Sequence, residues 1–203
     1  MKKQTITLLQ VGFGALALFL AYQIYAVIME PIEFEKLKEQ RFTEVKSQLE
    51  NIREAELAYK TQFGTYTGDL DVLISFVDTG YITIYERKDS SFMYYNRVFQ
   101  KDMNKDTTIV RVIGEQPVRG TIEAFPEDFD ASTMKYIYGT NTEISLASAK
   151  IDRGGISVDV FEASAPETVI FEDVQDRFDQ YISKSYSLQV GSLTEPTISG
   201  NWK

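Results

Sequence analysis

Residues 6–29 have the sequence ITLLQVGFGALALFLAYQIYAVIM, a run of 24 residues without a charged side chain. As a helix rising 1.5 Å per residue, this run would be about 36 Å long, enough for a hydrocarbon core of about 30 Å. A cleaved signal peptide is the alternative, with Ala15-Leu16-Ala17 as its small-x-small site. Because the apolar run continues well beyond that site, we expect an uncleaved transmembrane helix over 6–29.

The charges that flank this run predict its orientation. Lys2 and Lys3 precede it, whereas Glu30, Glu33 and Glu35 follow it. Positively charged residues near a membrane helix favour the cytoplasmic side. We therefore expect residues 1–5 to be a cytoplasmic tail and residues 30–203 to form a domain outside the cytoplasm.

One face of the predicted membrane helix carries small and polar residues. Gln10, Gly14, Ala17 and Ala21 follow one another at steps of four, three and four, so they form one stripe. Small residues let helices approach closely in lipid, and an amide can donate a hydrogen bond across the contact. These four residues are our candidates for packing against other membrane subunits, including further copies of this chain; a chance arrangement of common membrane residues is the alternative.

A long amphipathic helix is predicted over residues 32–63. Its apolar residues recur at steps of three, four and seven, and Gly64 is the first helix breaker after Pro31. The apolar stripe would pack on its own domain or in a coiled coil with another chain. Glu56 occupies a core position of the coiled-coil register, which favours the first alternative.

The rest of the chain is predicted to be rich in β-structure. A short helix over 69–78 should begin at the N-cap Asp69 and end at Gly80. Predicted strands are 81–85, 92–99, 107–113, 134–138, 143–151, 156–162 and 188–193, with turns at 102–106, 139–141 and 153–155. A further helix is predicted over 172–186. The expected fold class is α+β: a transmembrane helix continuing into a long helix that packs on an antiparallel sheet.

Composition excludes most familiar chemistry. The 203 residues include no Cys and no His, which removes disulfides, thiol and imidazole catalysis and His-ligated metals. The net charge of −9 argues against nucleic-acid binding. Residues 114–180 carry 14 acidic and five basic side chains, which indicates a soluble acidic surface or a face for a basic partner or a divalent cation.

Three short patterns resemble sites but lack essential parts. Asp102-x-Asn104-x-Asp106 begins like an EF-hand loop, yet Thr107 and Ile113 replace its Gly and Glu, so we expect a polar hairpin turn. The cluster 127–130 predicts an acidic surface loop, and 183–185 lacks the context of a Ser–Lys dyad. We therefore predict no enzyme activity, no cofactor and no metal site.

The segment IREAELAY at 52–59, followed by GTYT at 64–67 and the Leu70-x-x-Leu73 helix, is similar to type IV pilins and type II secretion pseudopilins over residues 5–85. The prepilin cleavage glycine and the glutamate at the fifth mature position are not matched, since Gly12-Phe13 lies inside the apolar run and is followed by Ala17 at the fifth position. The whole chain, with Met29-Glu30-Pro31 and the tail 191–203, also resembles single-pass envelope proteins of Gram-negative bacteria, a resemblance that implies no activity.

The resemblance implies a pilin-like fold, an inner-membrane anchor and a periplasmic domain. It implies a non-enzymatic structural subunit of an envelope assembly, with secretion or surface transport as the process it would serve. A membrane-anchored periplasmic binding or adaptor protein that does not polymerise is the alternative.

Overall fold

The fold is built on one long helix. The computed structural model describes the backbone of residues 2–202 and the side chains of Leu9 and residues 12–202, so the predicted stripe residue Gln10 lies outside the described side chains. Helix α1 comprises Lys2–Phe63, 62 residues with Pro31 inside it, and is about 93 Å long. The predicted helices over 6–29 and 32–63 are thus parts of one continuous helix.

The distal half of α1 forms the centre of the hydrophobic core. Val45, Leu49, Ile52 and Ala55 are fully buried, and Phe34 is almost so. They pack against residues from α2, the second sheet and the segments between them. The predicted apolar stripe therefore packs on the chain's own domain.

The turn after α1 follows the sequence closely. Gly64 has a φ of +81°, the left-handed conformation that favours glycine at a helix end. Asp69 accepts hydrogen bonds from the backbone N–H groups of Asp71 and Val72, which caps helix α2 at Leu70–Thr79. The predicted cap is confirmed, and the predicted helix over 69–78 is confirmed to within one residue at each end.

A long antiparallel hairpin follows. Strand β1 comprises Tyr81–Asn96 and β2 comprises Lys101–Pro117; together they form a separate two-stranded sheet with a bulge between Ile84 and Tyr85. The predicted strands 81–85 and 107–113 are confirmed, since they lie within β1 and β2, and the predicted strand 92–99 is confirmed as far as Asn96. The predicted turn at 102–106 is wrong, because those residues lie within β2.

The hairpin turn lies instead at 97–100. The Asn96 side chain accepts hydrogen bonds from the backbone N–H groups of Val98 and Phe99, which folds the chain back without a glycine. Gln100 completes the turn with a φ of +48°. The polar cluster at 102–106 led to a predicted turn that lies a few residues after the observed one.

The second sheet has three antiparallel strands in the order β3-β4-β5. They are β3 at Ser145–Arg153, β4 at Ile156–Pro166 and β5 at Ser187–Gly191. The predicted hairpin at 153–155 is confirmed: Gly154 and Gly155 both have positive φ. The predicted α+β class with antiparallel strands is likewise confirmed.

Two predicted elements are wrong. Residues 134–138 do not form a strand; Asp130 caps a single 3₁₀ turn at Ala131–Met134, and Tyr136 makes only an isolated bridge to Glu143.

The predicted helix over 172–186 is replaced by short helices α3 at Glu167–Ile170 and α4 at Gln175–Phe178, with a 3₁₀ turn at Glu172–Val174 between them. Phe171, Phe178 and Tyr181 all contact Phe34, whereas a straight helix would place Phe171 and Tyr181 about 15 Å apart along its axis.

Candidate functional site

The first half of α1 is an exposed apolar helix. From Gly12 onward the helix is long and apolar enough to cross a membrane, and none of its most apolar segment is buried. A Cβ added at Gly14 would meet no heavy atom of the described chain within 4 Å. Ala17 and Ala21 are exposed on the same helical face. No other part of the described chain therefore covers this face of the helix.

An aromatic cluster fixes α1 to the domain immediately after the apolar run that ends at Met29. Phe34 lies within 5.2–5.6 Å, between ring centroids, of Phe171, Phe178 and Tyr181. Phe42 lies 6.0 Å from Phe171 on the next turns of the helix. Because Phe34 follows Met29 by five residues, about 7.5 Å of helix, the folded domain begins close to the end of the apolar run.

Charged side chains strengthen the same contact. Lys38 Nζ lies 2.8 Å from Oε1 of Glu167, whose side chain is 1% exposed. Arg41 donates to both carboxylate oxygens of Asp173, at 2.5 and 2.7 Å, and to the carbonyl of Ile170. The hydrogen bonds from Arg41 lower the pKa of Asp173. We name these pairs, with the aromatic cluster, the clamp; it fixes the distal half of α1 to the domain.

A single carboxyl group is buried in the core. Glu56 is fully buried; its Oε2 accepts a hydrogen bond from the backbone N–H of Thr67, whereas its Oε1 has no hydrogen-bond partner in the described chain. Burial raises the pKa of Glu56 to about 8, and burial also raises the pKa of its neighbour Tyr66. Glu56 is therefore mostly uncharged at neutral pH, which explains how a glutamate can occupy the apolar stripe.

The β1–β2 hairpin exposes large apolar side chains on both faces. Met93, Tyr95, Val98 and Phe99 are 58–85% exposed, and Phe92 is 49% exposed. An isolated two-stranded ribbon is marginally stable in water, and contiguous exposed apolar surface usually marks a contact with another molecule. The hairpin is the second candidate interaction surface, and sequence analysis did not identify it.

The other patterns noted in the sequence do not form a chemical site. Asp102, Asn104 and Asp106 lie on one face of β2, where alternate residues are nearly 7 Å apart along the strand. Asp130, from the acidic loop, accepts hydrogen bonds from the Ser132 side chain and backbone, which lower its pKa. Lys184, from the 183–185 pattern, lies 3.3 Å from Asp179. No group of three or more acidic residues within the described chain could hold a metal ion.

No family model, curated protein or solved structure matches this chain.

Proposed function

We propose that this protein is a non-enzymatic, pilin-like structural subunit of an assembly in the bacterial inner membrane. Its N-terminus would be cytoplasmic and its domain periplasmic, and secretion or surface transport is the process it would serve. The single observation that carries the proposal is α1 itself: one helix that is bare over its membrane half and forms the core of the domain over its distal half.

The clamp supports this proposal. If α1 were only an anchor, the domain could be joined to it by a flexible linker. Instead, Phe34 and Lys38 bind the helix to the domain within three turns of Met29. A rigid joint transmits the position of one membrane helix to the domain outside, which is what a subunit of an ordered assembly needs.

Crosslinking in intact membranes tests the proposal. Lys36 is exposed just beyond the apolar run, so an amine-reactive crosslinker there would join neighbouring copies or other subunits. We expect higher-order products that Gly14→Ile with Ala17→Ile reduces, because branched side chains at the stripe keep helices apart.

The matched control is Leu16→Ile with Phe19→Ile, on the opposite face of the helix. It should leave both abundance and crosslinks unchanged. Crosslinks at the wild-type level in the stripe variant would show that the stripe is not a contact.

A membrane-anchored adaptor that does not polymerise is the second candidate function. The exposed hairpin favours it, because an apolar arm could hold a different periplasmic protein. Wild-type membranes that yield no crosslink between copies of this chain, or to another membrane protein, would support the adaptor and contradict the subunit.

A further inference from the structure

The two faces of the β1–β2 hairpin carry opposite charge. Strand pairing places Lys88, Lys101, Lys105 and Arg111 on one face with a single acidic residue, Glu86; we name this the basic face. The other face, which we name the acidic face, carries Asp89, Asp102 and Asp106 with a single basic residue, Arg87. All nine side chains are exposed, and none forms an ion pair within residues 12–202.

These charges occur as four neighbouring pairs of opposite sign. The pairs are Glu86-Arg87, Lys88-Asp89, Lys101-Asp102 and Lys105-Asp106. Sequence neighbours in a strand point to opposite faces, so each pair places a positive charge on one face and a negative charge on the other. The lysines of three pairs lie on the basic face, whereas Glu86-Arg87 has the reverse arrangement. The basic face of one hairpin is therefore complementary in charge to the acidic face of another copy.

We infer that the basic face of one hairpin packs on the acidic face of a hairpin from a second copy of this chain, with both hairpins pointing the same way. In that orientation Lys88, Lys101 and Lys105 of one copy lie opposite Asp89, Asp102 and Asp106 of the next. Copies anchored in one membrane share a direction, so the contact rests on the proposed membrane-anchored assembly and names its outer interface.

The charge pattern also decides the symmetry of the contact. A two-fold dimer would place a face against its own copy, and like charges would then repel at several levels. A basic-on-acidic contact leaves one free face at each end, so further copies can add. This type of contact builds a ring where the rotation between copies closes and an open-ended array where it does not.

Apolar side chains supply the area that such a contact would bury. Phe92 and Ile109 are exposed on the basic face, and Met93, Tyr95 and Val110 on the acidic face. Stacked sheets lie about 10 Å apart and interdigitate side chains of this size. The contact would thus cover both apolar faces of a ribbon that no other strand of the described chain covers.

Cysteine crosslinking of the full chain in membranes tests the contact. The chain has no natural Cys, and the adjacent residues Ser90 and Ser91 lie on the basic and acidic faces respectively. We expect a bis-maleimide that spans about 10 Å to join tagged S90C copies to co-expressed S91C copies. Neither variant alone should give a comparable product, because basic faces do not meet each other and acidic faces do not either.

Charge exchange provides the second readout. In that co-expression pair, K101E/K105E makes both faces acidic and should lower the crosslinked product about tenfold, because attractive surface pairs become repulsive ones. D102K/D106K makes both faces basic and should do the same. The fourfold exchange K101D/D102K/K105D/D106K restores complementarity and should restore the product.

Two results would overturn the inference. One is S90C or S91C crosslinking to itself as efficiently as the mixed pair, and the other is the absence of a mixed product. If amine crosslinks at Lys36 persist without a mixed hairpin product, the hairpin contact fails while the membrane assembly stands. If the amine crosslinks at Lys36 and the mixed hairpin product are both absent, the proposed function fails as well.

Discussion

The backbone N–H of Thr67 donates a hydrogen bond to Oε2 of the fully buried Glu56, at 3.0 Å. This contact ties the turn after α1 to the helix itself, at a position where the periodic pattern calls for an apolar residue. It also gives the folded protein a titratable group in its core.

Stability should therefore fall with increasing pH. The pKa of Glu56 is raised from 4.5 to about 8, so its contribution is fully present below pH 4.5 and is lost as pH rises through the folded value. Between these values, the free energy of unfolding should decrease by about 1.4 kcal/mol per pH unit through this group. Glu56→Gln should remove that slope, measured by denaturant unfolding of the detergent-solubilised chain.

The exposed Glu44 supplies a matched control for this experiment. Glu44→Gln should leave the wild-type pH profile intact. A wild-type profile that is parallel to that of Glu56→Gln between pH 5 and 8 would contradict the role of the buried carboxyl.

The clamp should be sensitive to its lysine. Lys38→Met leaves the buried Glu167 carboxylate without its partner, so we expect a loss of about 2–3 kcal/mol in unfolding free energy. Lys36→Met, at an exposed position two residues away, should cost much less. The double variant Lys38→Met with Glu167→Gln should recover part of the loss; a double variant as unstable as the sum of the singles would show that the pair is not coupled.

Gly191, the last residue of β5, should tolerate no side chain. Its φ is +75°, and an added Cβ would lie only 2.2 Å from the carbonyl oxygen of Phe161 in β4. We expect Gly191→Ala to cost about 3 kcal/mol or more, because backbone must move. Gly154→Ala has a similar positive φ but open space around it, so it should cost about 1 kcal/mol. Equal thermal midpoints for the two variants would contradict this difference.

Topology can be measured independently of assembly. The Lys2 and Lys3 charges predict that a periplasmic reporter fused after Lys203 is active. Sequencing the N-terminus of the mature chain should find the residues before the apolar run. A mature chain that begins after Ala17 or Ala26 would contradict the anchor.

Local signals predicted much of the fold, and tertiary contacts explain the rest. Gly64, Asp69 and Gly154 act on their immediate neighbours, so the helix end, the cap and the hairpin turn could be predicted from residue type alone. The segment 172–186 has helical periodicity, but Phe171, Phe178 and Tyr181 all contact Phe34, which is about 140 residues away in sequence. That long-range contact replaces a regular helix with short turns.

The hairpin shows the same limit at the candidate site. Asn96 is a weaker turn signal than the run of polar residues at 102–106, and only strand pairing reveals which charges share a face. The four neighbouring pairs of opposite charge are visible in the sequence. Their meaning depends on β1 and β2 each being a continuous strand, which the predicted turn at 102–106 precluded.

We propose that copies of α1, or α1 and other membrane subunits, meet along one face within the membrane. The most direct measurement is oxidative disulfide formation in native membranes by single-cysteine variants at Gly14, Ala17 and Ala21, compared with Leu16 and Phe19 on the opposite face. For contacts between copies, we expect disulfide-linked dimers at the first three positions and few at the other two. Equal yields at all five positions would contradict it, as would the absence of any dimer together with the absence of crosslinks to another membrane protein.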